Sequence, residues 1–521
     1  MMNKKKIQIL ATSDIHGYVM PTRFAHHTNE ALGLAKVSTI IKEKRLQAPT
    51  ILIDNGDFIQ GSPMTYYQQK YEKKEQNAMI EAANALEYDA LIFGNHEFNY
   101  GKEALQEAIQ QSQFPWLAAN IQNEHGKVFT KPYIIKEIEG IRLAILGMTT
   151  HFVPIWEEAK HIEGIHFQDA FEATRQWTAY IHEHEKVDVL IVAYHGGFER
   201  DLATGELVEA DTGENQGYQI CKEIEGIDIF ISGHQHREIA TKLFDKSVVQ
   251  PGTKGICLAS IELTVEVDDK DNIIAVTHEP FLIYLGEETP VDAAIAQLNT
   301  PIYQRTEKWL DEAIGTVKGD IRLKNAFDAR VHGHAYVEFI NKIQMAVSGA
   351  SISATSLFHD EEGGLPNEVT MRDIVTNYIY PNTLKVLRLS GNDILQALEQ
   401  CASYFTIENG RLAVSPSFKY PKAQPYNYDM WAGIEYTFNI SMPVGGRVTT
   451  LTRKGERLDL DAEFDVVMNS YRATGAGNFD MFKNCPTIKD IQTDMTEIIA
   501  DYFQQHPVIE ATCNHNWKVI Y

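Results

Sequence analysis

The sequence predicts an α/β fold, in which a first half of alternating strands and helices is joined to a second, mixed domain. Short apolar runs of β type alternate with helix-period patterns such as Met79, Ile80, Ala83 and Leu86. Several of these runs end in polar side chains. A polar, proline-marked stretch at 286–290 then separates the two halves.

The length of the chain favours more than one domain. Its 521 residues exceed what one ordinary core accommodates, since domains contain roughly 100 to 200 residues. The hydrophobic fraction of 44% and the charged fraction of 23% are typical of soluble proteins with a real core. We expect one domain over 1–289, a helical connector over 290–314 and a second domain over 315–521.

The charge and hydropathy of the chain exclude several classes of partner. Its 47 basic and 71 acidic residues give a net charge of −24, which argues against binding to duplex nucleic acid or to an anionic membrane. No window approaches the roughly 18 apolar residues of a membrane span. No obligate protein partner is implied. A small phosphate-bearing substrate remains compatible, because bound metal cations can supply local positive charge.

Cysteine usage and the first residues predict the cellular compartment. The five cysteines are widely spaced and never form a CxxC pair, so they indicate neither a disulfide framework nor a thiolate zinc site. The apolar run that follows Lys4 to Lys6 extends only from Ile7 to Ala11, which fits a first strand better than a signal-peptide core. We therefore expect a cytoplasmic protein.

Five strand-end clusters in the first half carry residues that bind metals. In sheets buried on both faces, ligands collect beyond the carboxyl ends of the strands, and each of these clusters lies at such an end. Carboxylate, imidazole and amide oxygen suit hard or borderline divalent metals, and a dinuclear site needs a bridging carboxylate, for which Asp57 is the candidate. The predicted metal ligands are Asp14, His16, Asp57, Asn95, His195, His234 and His236.

The series D-x-H, G-D-x-x-x-G, G-N-H-E, a later H-G and then G-H-x-H resembles the signature of the calcineurin-like metallophosphoesterases. The whole chain is similar to the 5′-nucleotidase family. The resemblance implies a four-layer metallophosphoesterase sandwich over 1–289, joined by the helical linker to a 5′-nucleotidase-type substrate-binding α/β domain over 315–521. It assigns Asp14, His16, Asp57 and His236 to one ion and Asp57, Asn95, His195 and His234 to the other.

The predicted reaction is in-line hydrolysis of a phosphate ester. Two divalent ions hold a shared hydroxide that attacks phosphorus, and they neutralise the phosphoryl oxygens. Nitrogen and oxygen ligands suit zinc, manganese and iron alike. His96 follows Asn95 directly, and the resemblance implies that it stabilises the transition state and assists the leaving oxygen.

One departure from the family narrows the predicted substrate. The commonest 5′-nucleotidase pattern has an aspartate three residues after this histidine, whereas this chain has Asn99, which we expect to orient His96. An amide accepts a hydrogen bond from the imidazole but cannot stabilise an imidazolium by charge. The run from Gly94 to Gly101 instead resembles the 2′,3′-cyclic-nucleotide 2′-phosphodiesterase branch.

The second half is predicted to bind the nucleotide. Aromatic faces hold nucleobases by stacking, and the resemblance places one aromatic in each of two loops. Motif alignment assigns Tyr471 and Tyr428, with Gly475 and Gly477 allowing a tight loop. The loop has Asn478 and no aspartate for the ribose hydroxyls, which favours a cyclic or 3′-phosphorylated ribose.

Alternatives stay open within this scaffold. The leading hypothesis is hydrolysis of 2′,3′-cyclic nucleotides and nucleoside monophosphates. A 5′-nucleotidase or nucleotide-sugar hydrolase is the first alternative, and a sulfur-compound hydrolase is a remote one. A metal- and nucleotide-binding protein without catalytic activity belongs to a different class, and the full ligand set with His96 argues against it.

Overall fold

The computed structural model describes residues 3–24, 28–157, 159–207, 212–358, 363–378, 382–419 and 424–521. The chain divides into two compact units, Met1–Trp309 and Leu310–Tyr521.

The first unit alternates strands with helices. Its strands are β1 (Asn3–Thr12), β2 (Thr50–Asp54), β3 (Ala90–Ile92), β4 (Trp116–Leu117), β5 (Ile121–Asn123), β6 (Tyr133–Ile138), β7 (Ile141–Thr149), β8 (Ile165–Phe167), β9 (Val189–His195), β10 (Ile229–Ser232), β11 (Glu238–Leu243), β12 (Lys246–Pro251), β13 (Cys257–Val267) and β14 (Ile273–Tyr284). Its helices are α1 (Leu34–Arg45), α2 (Pro63–Tyr71), α3 (Ala78–Ala85), α4 (Gly101–Gln111), α5 (Val153–Trp156), α6 (Ala170–His184), α7 (Gly217–Glu223) and α8 (Ala293–Leu310).

Two six-stranded sheets form the centre of this unit. One has the strand order β14-β13-β1-β2-β3-β4 and the other β11-β12-β10-β9-β7-β6. Strands β1 to β4 are parallel, as are β7, β9, β10 and β12. The remaining strands β13, β14, β6 and β11 pair antiparallel. Both sheets are therefore mixed, with parallel strands in the centre and antiparallel strands at one edge of the first sheet and at both edges of the second.

The core lies between and outside the two sheets. Alternate strand residues, such as Ile9 of β1 and Ile145 of β7, form one apolar cluster that joins both sheets. The intervening residues of the second sheet, such as Leu146, pack with Ile181 of α6 in another cluster. Leu10, on the opposite face of β1, is also fully buried. The two-residue period of each strand thus gives both sheets two buried faces.

The boundaries of the connector differ slightly from the prediction. Helix α8 occupies most of 290–314 and lies almost wholly in the first unit. The last predicted connector residues belong to strand β15 (Ala313–Lys318), because Ala313 pairs with Thr370. At the other end of the unit, the apolar run from Ile7 to Ala11 lies in the second half of β1, which begins at Asn3.

The second unit is a mixed α/β structure. Its further strands are β16 (Ile321–Leu323), β17 (Ile352–Ser356), β18 (Gly363–Leu365), β19 (Glu368–Thr370), β20 (Leu384–Ser390), β21 (Phe405–Glu408), β22 (Arg411–Val414), β23 (Asp429–Ala432), β24 (Glu435–Asn439), β25 (Val448–Arg453), β26 (Glu456–Arg457), β27 (Glu463–Asn469), β28 (Thr487–Ile491), β29 (Val508–Glu510) and β30 (Trp517–Ile520). Its helices are α9 (Ala326–His332), α10 (Ala335–Ser348), α11 (Met371–Asn377), α12 (Gly391–Ala402), α13 (Ser470–Ala473) and α14 (Met495–Gln505).

A five-stranded sheet of order β23-β17-β27-β20-β28 organises the second unit. Strand β27 pairs in parallel with β17 and antiparallel with β20, so the loop after Asn469 emerges from its centre. Over the described part of the chain, every helix is too short or too polar to cross a bilayer.

Candidate active site

The seven predicted metal ligands lie together in the first unit, at or just beyond strand ends. Because parallel strands end at the same edge of a sheet, the residues that follow them become neighbours. Asp14 and His16 follow β1, Asp57 follows β2, Asn95 follows β3, His195 ends β9, and His234 and His236 follow β10.

One group of donor atoms contains Asp14, His16 and His236, whose ligand atoms all lie within 4.8 Å of one another. The Nε2 atoms of the two histidines are 3.0 Å apart, and His236 Nε2 lies 3.4 Å from Asp14 Oδ1. Asp14 is fully buried. Two imidazoles and a carboxylate that converge in this way are a suitable donor set for a divalent cation.

A second group contains Asp57, His195 and His234, again within 4.8 Å. His195 Nε2 lies 3.2 Å from Asp57 Oδ2 and 3.2 Å from Asn95 Oδ1. His234 Nδ1 lies 2.9 Å from the same amide oxygen. Asn95 thus adds a neutral oxygen donor to this group.

Asp57 occupies the position of a bridge between the groups. Its Oδ2 atom is 3.2 Å from His195 Nε2 in the second group and 3.9 Å from His16 Nε2 in the first. Its Oδ1 atom accepts a hydrogen bond from the backbone N–H of His96, which fixes the plane of the carboxylate.

Backbone carbonyls orient two of the imidazole ligands. His16 Nδ1 lies 3.0 Å from the carbonyl oxygen of Gln60, and His195 Nδ1 lies 2.7 Å from that of Asn55. A carbonyl only accepts hydrogen bonds, so both Nδ1 atoms carry a proton, and both Nε2 atoms are the ones directed at the donor groups.

The Glu214 carboxylate orients the imidazole of His234 in the same way. Its Oε1 lies 3.0 Å from His234 Nε2, which leaves Nδ1 facing Asn95 Oδ1 and the second group. A carboxylate behind a ligating imidazole raises the basicity of the ligand and fixes its tautomer. Glu214 lies in a loop before α7 and follows no strand, so no pattern in the sequence indicated this role.

Glu97 holds two of the ligand loops together. Its buried carboxylate accepts hydrogen bonds from the backbone N–H groups of Asp57 at 2.8 Å, Phe58 at 2.7 Å and Gly94 at 2.7 Å. The loops after β2 and β3 therefore share one anionic acceptor. The G-N-H-E motif contained this residue, but nothing in its spacing indicated the role.

The backbone of five ligands is left-handed. The φ angles are 54° at Asp14, 49° at His16, 55° at Asp57, 68° at His234 and 56° at His236. Residues other than glycine rarely adopt this region, which costs on the order of 1 kcal/mol or more each. Such strain persists where the surrounding structure imposes it, and it concentrates at functional sites.

The electrostatics of the donor set suit cations. Burial lowers the pKa of His16 to about 3, which keeps the ring neutral and its lone pair available. Burial would raise the pKa of Asp57, but the adjacent His195 and His96 hold it well below its ordinary value. Burial would likewise lower the pKa of His195, yet Asp57 outweighs it and raises that pKa to about 10. The buried carboxylates of Asp14 and Asp57 favour positive charge, and a divalent metal would take the place of the proton between His195 Nε2 and Asp57, so the residues fit two divalent metals.

His96 lies beside the first group, as the sequence analysis expected. Its ring makes an edge contact with His16, with centroids 5.2 Å apart. Its Nδ1 lies 2.6 Å from Asn99 Oδ1, so the predicted partner is in place. The ring nitrogen opposite, Nε2, is the one that remains for a substrate.

In the second unit, the prediction for Tyr428 is wrong. Its ring is fully buried against Tyr404 and Phe405, and its hydroxyl donates to the carbonyl oxygen of Arg330. The chain forms a short 3₁₀ turn at Pro425–Asn427, which rotates Tyr428 into the core.

The aromatic pair that reaches the surface consists instead of Tyr426, which is half-buried, and Tyr471, which is exposed. Tyr471 is 44% exposed at the start of α13, and Tyr426 lies on the turn that precedes β23. Their ring centroids are 6.3 Å apart and the rings meet at 73°. The two predicted loops do approach each other, with one tyrosine from each.

Arg472 ties these loops together. Its guanidinium forms a buried ion pair with Asp429, Nε to Oδ2 2.7 Å, and Nη2 donates to the carbonyl oxygen of Tyr426. Gly477, at φ 75°, lies so close that an added Cβ would meet Arg472 Nη1 at 2.4 Å. Gly475, at φ 86°, turns the same loop. Gly477 thus makes room for the arginine that anchors both loops.

Comparison with known proteins assigns both units. Residues 7–238 match the calcineurin-like phosphoesterase family, and residues 313–484 match the 5′-nucleotidase C-terminal domain. A structure from Staphylococcus aureus, described as a candidate 5′-nucleotidase in complex with α-ketoglutarate, is 34% identical over 99% of this chain and 100% of that one, with a TM-score of 0.75.

Two curated relatives carry more specific names. The Bacillus subtilis protein YfkN, named a trifunctional nucleotide phosphoesterase, is 25% identical over 98% of this chain. This chain spans 39% of the length of YfkN. A Haemophilus influenzae protein named 2′,3′-cyclic-nucleotide 2′-phosphodiesterase/3′-nucleotidase is 24% identical over 99% of this chain and 87% of its own length.

Proposed function

This chain belongs to the 5′-nucleotidase family of calcineurin-like metallophosphoesterases and is a metal-dependent phosphoesterase, and we propose that its substrates are 2′,3′-cyclic nucleotides and nucleoside monophosphates. The observation that carries this proposal is the pair of donor groups around Asp57, with His96 beside them.

The donor groups define what the bound metals contribute. Asp14, His16 and His236 would hold one ion, Asn95, His195 and His234 the other, and Asp57 both. Two such cations make hydroxide available near neutral pH and neutralise phosphoryl oxygens. The nitrogen and oxygen donors suit zinc, manganese or iron, and metal analysis of the purified protein distinguishes these.

His96 acts on the leaving group in this proposal. Its Nδ1 proton is held by Asn99, so Nε2 is the atom that exchanges a proton with the substrate. In hydrolysis of a cyclic nucleotide, the bond between phosphorus and a ribose oxygen breaks, water supplies the new oxygen on phosphorus, and the Nε2 proton passes to the ribose oxygen. General acid catalysis of this kind contributes roughly 100-fold or more.

The nucleobase is held by the tyrosine pair. Tyr471 is exposed and Tyr426 faces it across the loop, so a planar base can stack on either ring. Arg472 lies beneath Tyr471, with its guanidinium carbon 5.8 Å from the ring centroid, and limits the positions that the ring can take.

Two residues favour a cyclic substrate. Asn99 replaces a directly bound carboxylate at His96, and Asn478 occupies the loop in which the nucleotidases have an aspartate for free ribose hydroxyls. The name of the Haemophilus influenzae relative supports the same assignment.

A substrate panel tests the proposal. Protein loaded separately with zinc, manganese and iron is incubated with 2′,3′-cyclic AMP, 3′-AMP, 5′-AMP and a nucleotide sugar, and phosphate or nucleoside release is measured. Hydrolysis of 2′,3′-cyclic AMP is expected. Fast release from 5′-AMP with none from 2′,3′-cyclic AMP would instead identify a 5′-nucleotidase, and no release from any ester by protein with two bound metals would identify a binding protein.

We also propose a cytoplasmic location. All five cysteines are free thiols, and Cys221, Cys257 and Cys401 are buried, where burial raises the pKa of each thiol. Such thiols are typical of a reducing compartment. Cell fractionation with an antibody tests this, and recovery from the medium or cell surface would contradict it.

A further inference from the structure

A chain of hydrogen bonds connects His96 through Asn99 to Glu157. His96 Nδ1 lies 2.6 Å from Asn99 Oδ1, and Asn99 Nδ2 donates to Glu157 Oε2 at 2.7 Å. Glu157 Oε1 lies 2.7 Å from His161 Nδ1. A carboxylate is therefore connected to His96, with one amide group between them.

The chemistry of these groups fixes the direction of every bond. An ionised carboxylate only accepts, so Asn99 must present its amide nitrogen to Glu157. Its oxygen then faces His96, and because that oxygen also only accepts, His96 must carry a proton on Nδ1. The opposite amide orientation would place two acceptors together at Glu157. Glu157 thus determines the tautomer of His96 without touching it.

The Glu157 carboxylate is largely withdrawn from water. The Glu157 side chain is 7% exposed at the end of α5, and His161 covers its other oxygen. Charges withdrawn from water interact more strongly than exposed ones, and hydrogen-bonded chains polarise each other. The Glu157 carboxylate therefore holds the orientation of the Asn99 amide, whose oxygen faces His96 Nδ1.

We propose that Glu157 is a positioning residue for the reaction, which holds the proton on His96 Nδ1 through Asn99. The inference rests on the proposed function, because it gives His96 the leaving-group proton. It explains how a chain with asparagine at position 99 keeps an anion behind its histidine: the carboxylate lies one amide group further away, on a different element.

The first test uses Glu157→Gln, which keeps an oxygen for Asn99 Nδ2 and removes only the charge. With 2′,3′-cyclic AMP, whose alkoxide leaving group needs a proton, kcat should fall about 10-fold, a part of the roughly 100-fold that general acid catalysis supplies. With bis(p-nitrophenyl) phosphate, whose leaving group needs none, kcat should stay near that of the wild type. KM and bound metal should be unchanged.

A charge exchange and a control complete the kinetic test. Asn99→Asp combined with Glu157→Gln moves the carboxylate next to His96, and it should restore turnover of the cyclic nucleotide. Glu163→Gln changes an exposed carboxylate nearby and should have no effect. An equal loss on both substrates, a loss of metal, or no recovery in the double variant would show that Glu157 has only a structural role.

A spectroscopic test separates this inference from the proposed function. In zinc-loaded protein with ¹⁵N-labelled histidine, the ring signals of His96, assigned by their loss in His96→Gln, report which nitrogen carries the proton. The wild type should have the proton on Nδ1, and the Nδ1 signal should shift in Glu157→Gln. A proton on Nε2 alone would overturn the inference even if every nucleotide is hydrolysed. Inactivity toward all esters would contradict the proposed function, and the spectrum would still decide the tautomer.

Discussion

Arg472 and Asp429 form an ion pair with side chains only 1% and 2% exposed, Nε to Oδ2 2.7 Å. Because Arg472 also holds the carbonyl oxygen of Tyr426, this pair sets the distance between the two tyrosines.

Arg472→Met should destabilise the protein, since removing one partner of a buried pair costs about 3–5 kcal/mol. Urea unfolding measures this loss. At a permissive temperature, KM for nucleotides should rise while turnover of p-nitrophenyl phosphate is kept. Arg322→Met, which breaks an exposed pair with Asp320, should change stability by less than about 1 kcal/mol. Equal effects of the two substitutions would contradict the anchoring role.

Tyr471 and Tyr428 should respond in opposite ways to substitution. Tyr471→Ala removes an exposed ring and should raise KM for nucleotides by about 10-fold, as expected for roughly 1–3 kcal/mol of stacking, without loss of stability. Tyr428→Phe removes a buried hydroxyl that donates to Arg330, which should cost about 1 kcal/mol of stability and leave KM unchanged. Steady-state kinetics gives KM for both variants, and thermal unfolding gives their stability. A KM effect confined to Tyr428 would reinstate it as the stacking residue.

Removal of metal should abolish hydrolysis and lower the melting temperature, because bound ligand stabilises by about 2.7 kcal/mol at 100 times its Kd.

Asp57→Asn should lose more metal than Asn95→Ala, since Asp57 lies between both donor groups whereas Asn95 belongs to one. Mass spectrometry measures the metal content of each variant, before and after readdition of zinc or manganese, and shows which variant retains less. Equal retention of metal by the two variants would rule out the bridge.

Glu97→Gln should weaken metal binding without touching a ligand. The substituted amide nitrogen would face backbone N–H groups that now donate to the carboxylate, and each lost charged hydrogen bond is worth about 1.5–3 kcal/mol. Titration with zinc should show a weaker affinity. Glu103→Gln, an exposed change on α4, serves as the control. An unchanged zinc affinity would mean that the ligand loops keep their geometry without this anion.

Glu338 should make stability depend on pH. Burial would raise its pKa, but Lys342, Thr512 and the backbone of Asn514 lower it below the ordinary value. The folded pKa is below the unfolded one, so the stabilisation is complete above about pH 4.5 and is lost as pH falls through the folded value. Urea midpoints of wild type and Glu338→Gln should therefore differ at pH 7, and the difference should shrink steadily as the pH falls below about 4.5. A difference that stays constant below about pH 4.5 would assign the effect to packing.

The metal ligands could be predicted because each follows a strand, and strand ends converge wherever parallel strands are neighbours. Glu214 and Glu157 could not, because they reach the site from loops that carry no periodic pattern. The sequence does not specify how the short turn at Pro425–Asn427 rotates the chain, so it could not show that Tyr428 faces the core and Tyr426 does not. Motif order thus predicted which side chains converge, and the contacts that support them required three-dimensional structure.

The left-handed backbone at five ligands restricts how the site can change. Aspartate, asparagine and histidine adopt that conformation more readily than other residues with side chains, whereas glutamate and cysteine bind metals well but do not share this tolerance. At those five positions a new ligand must satisfy the backbone as well as the metal. Asn95, with φ −76°, and His195, within β9, have no such restriction. Attempts to alter metal preference should therefore begin at these two residues, both of the second group.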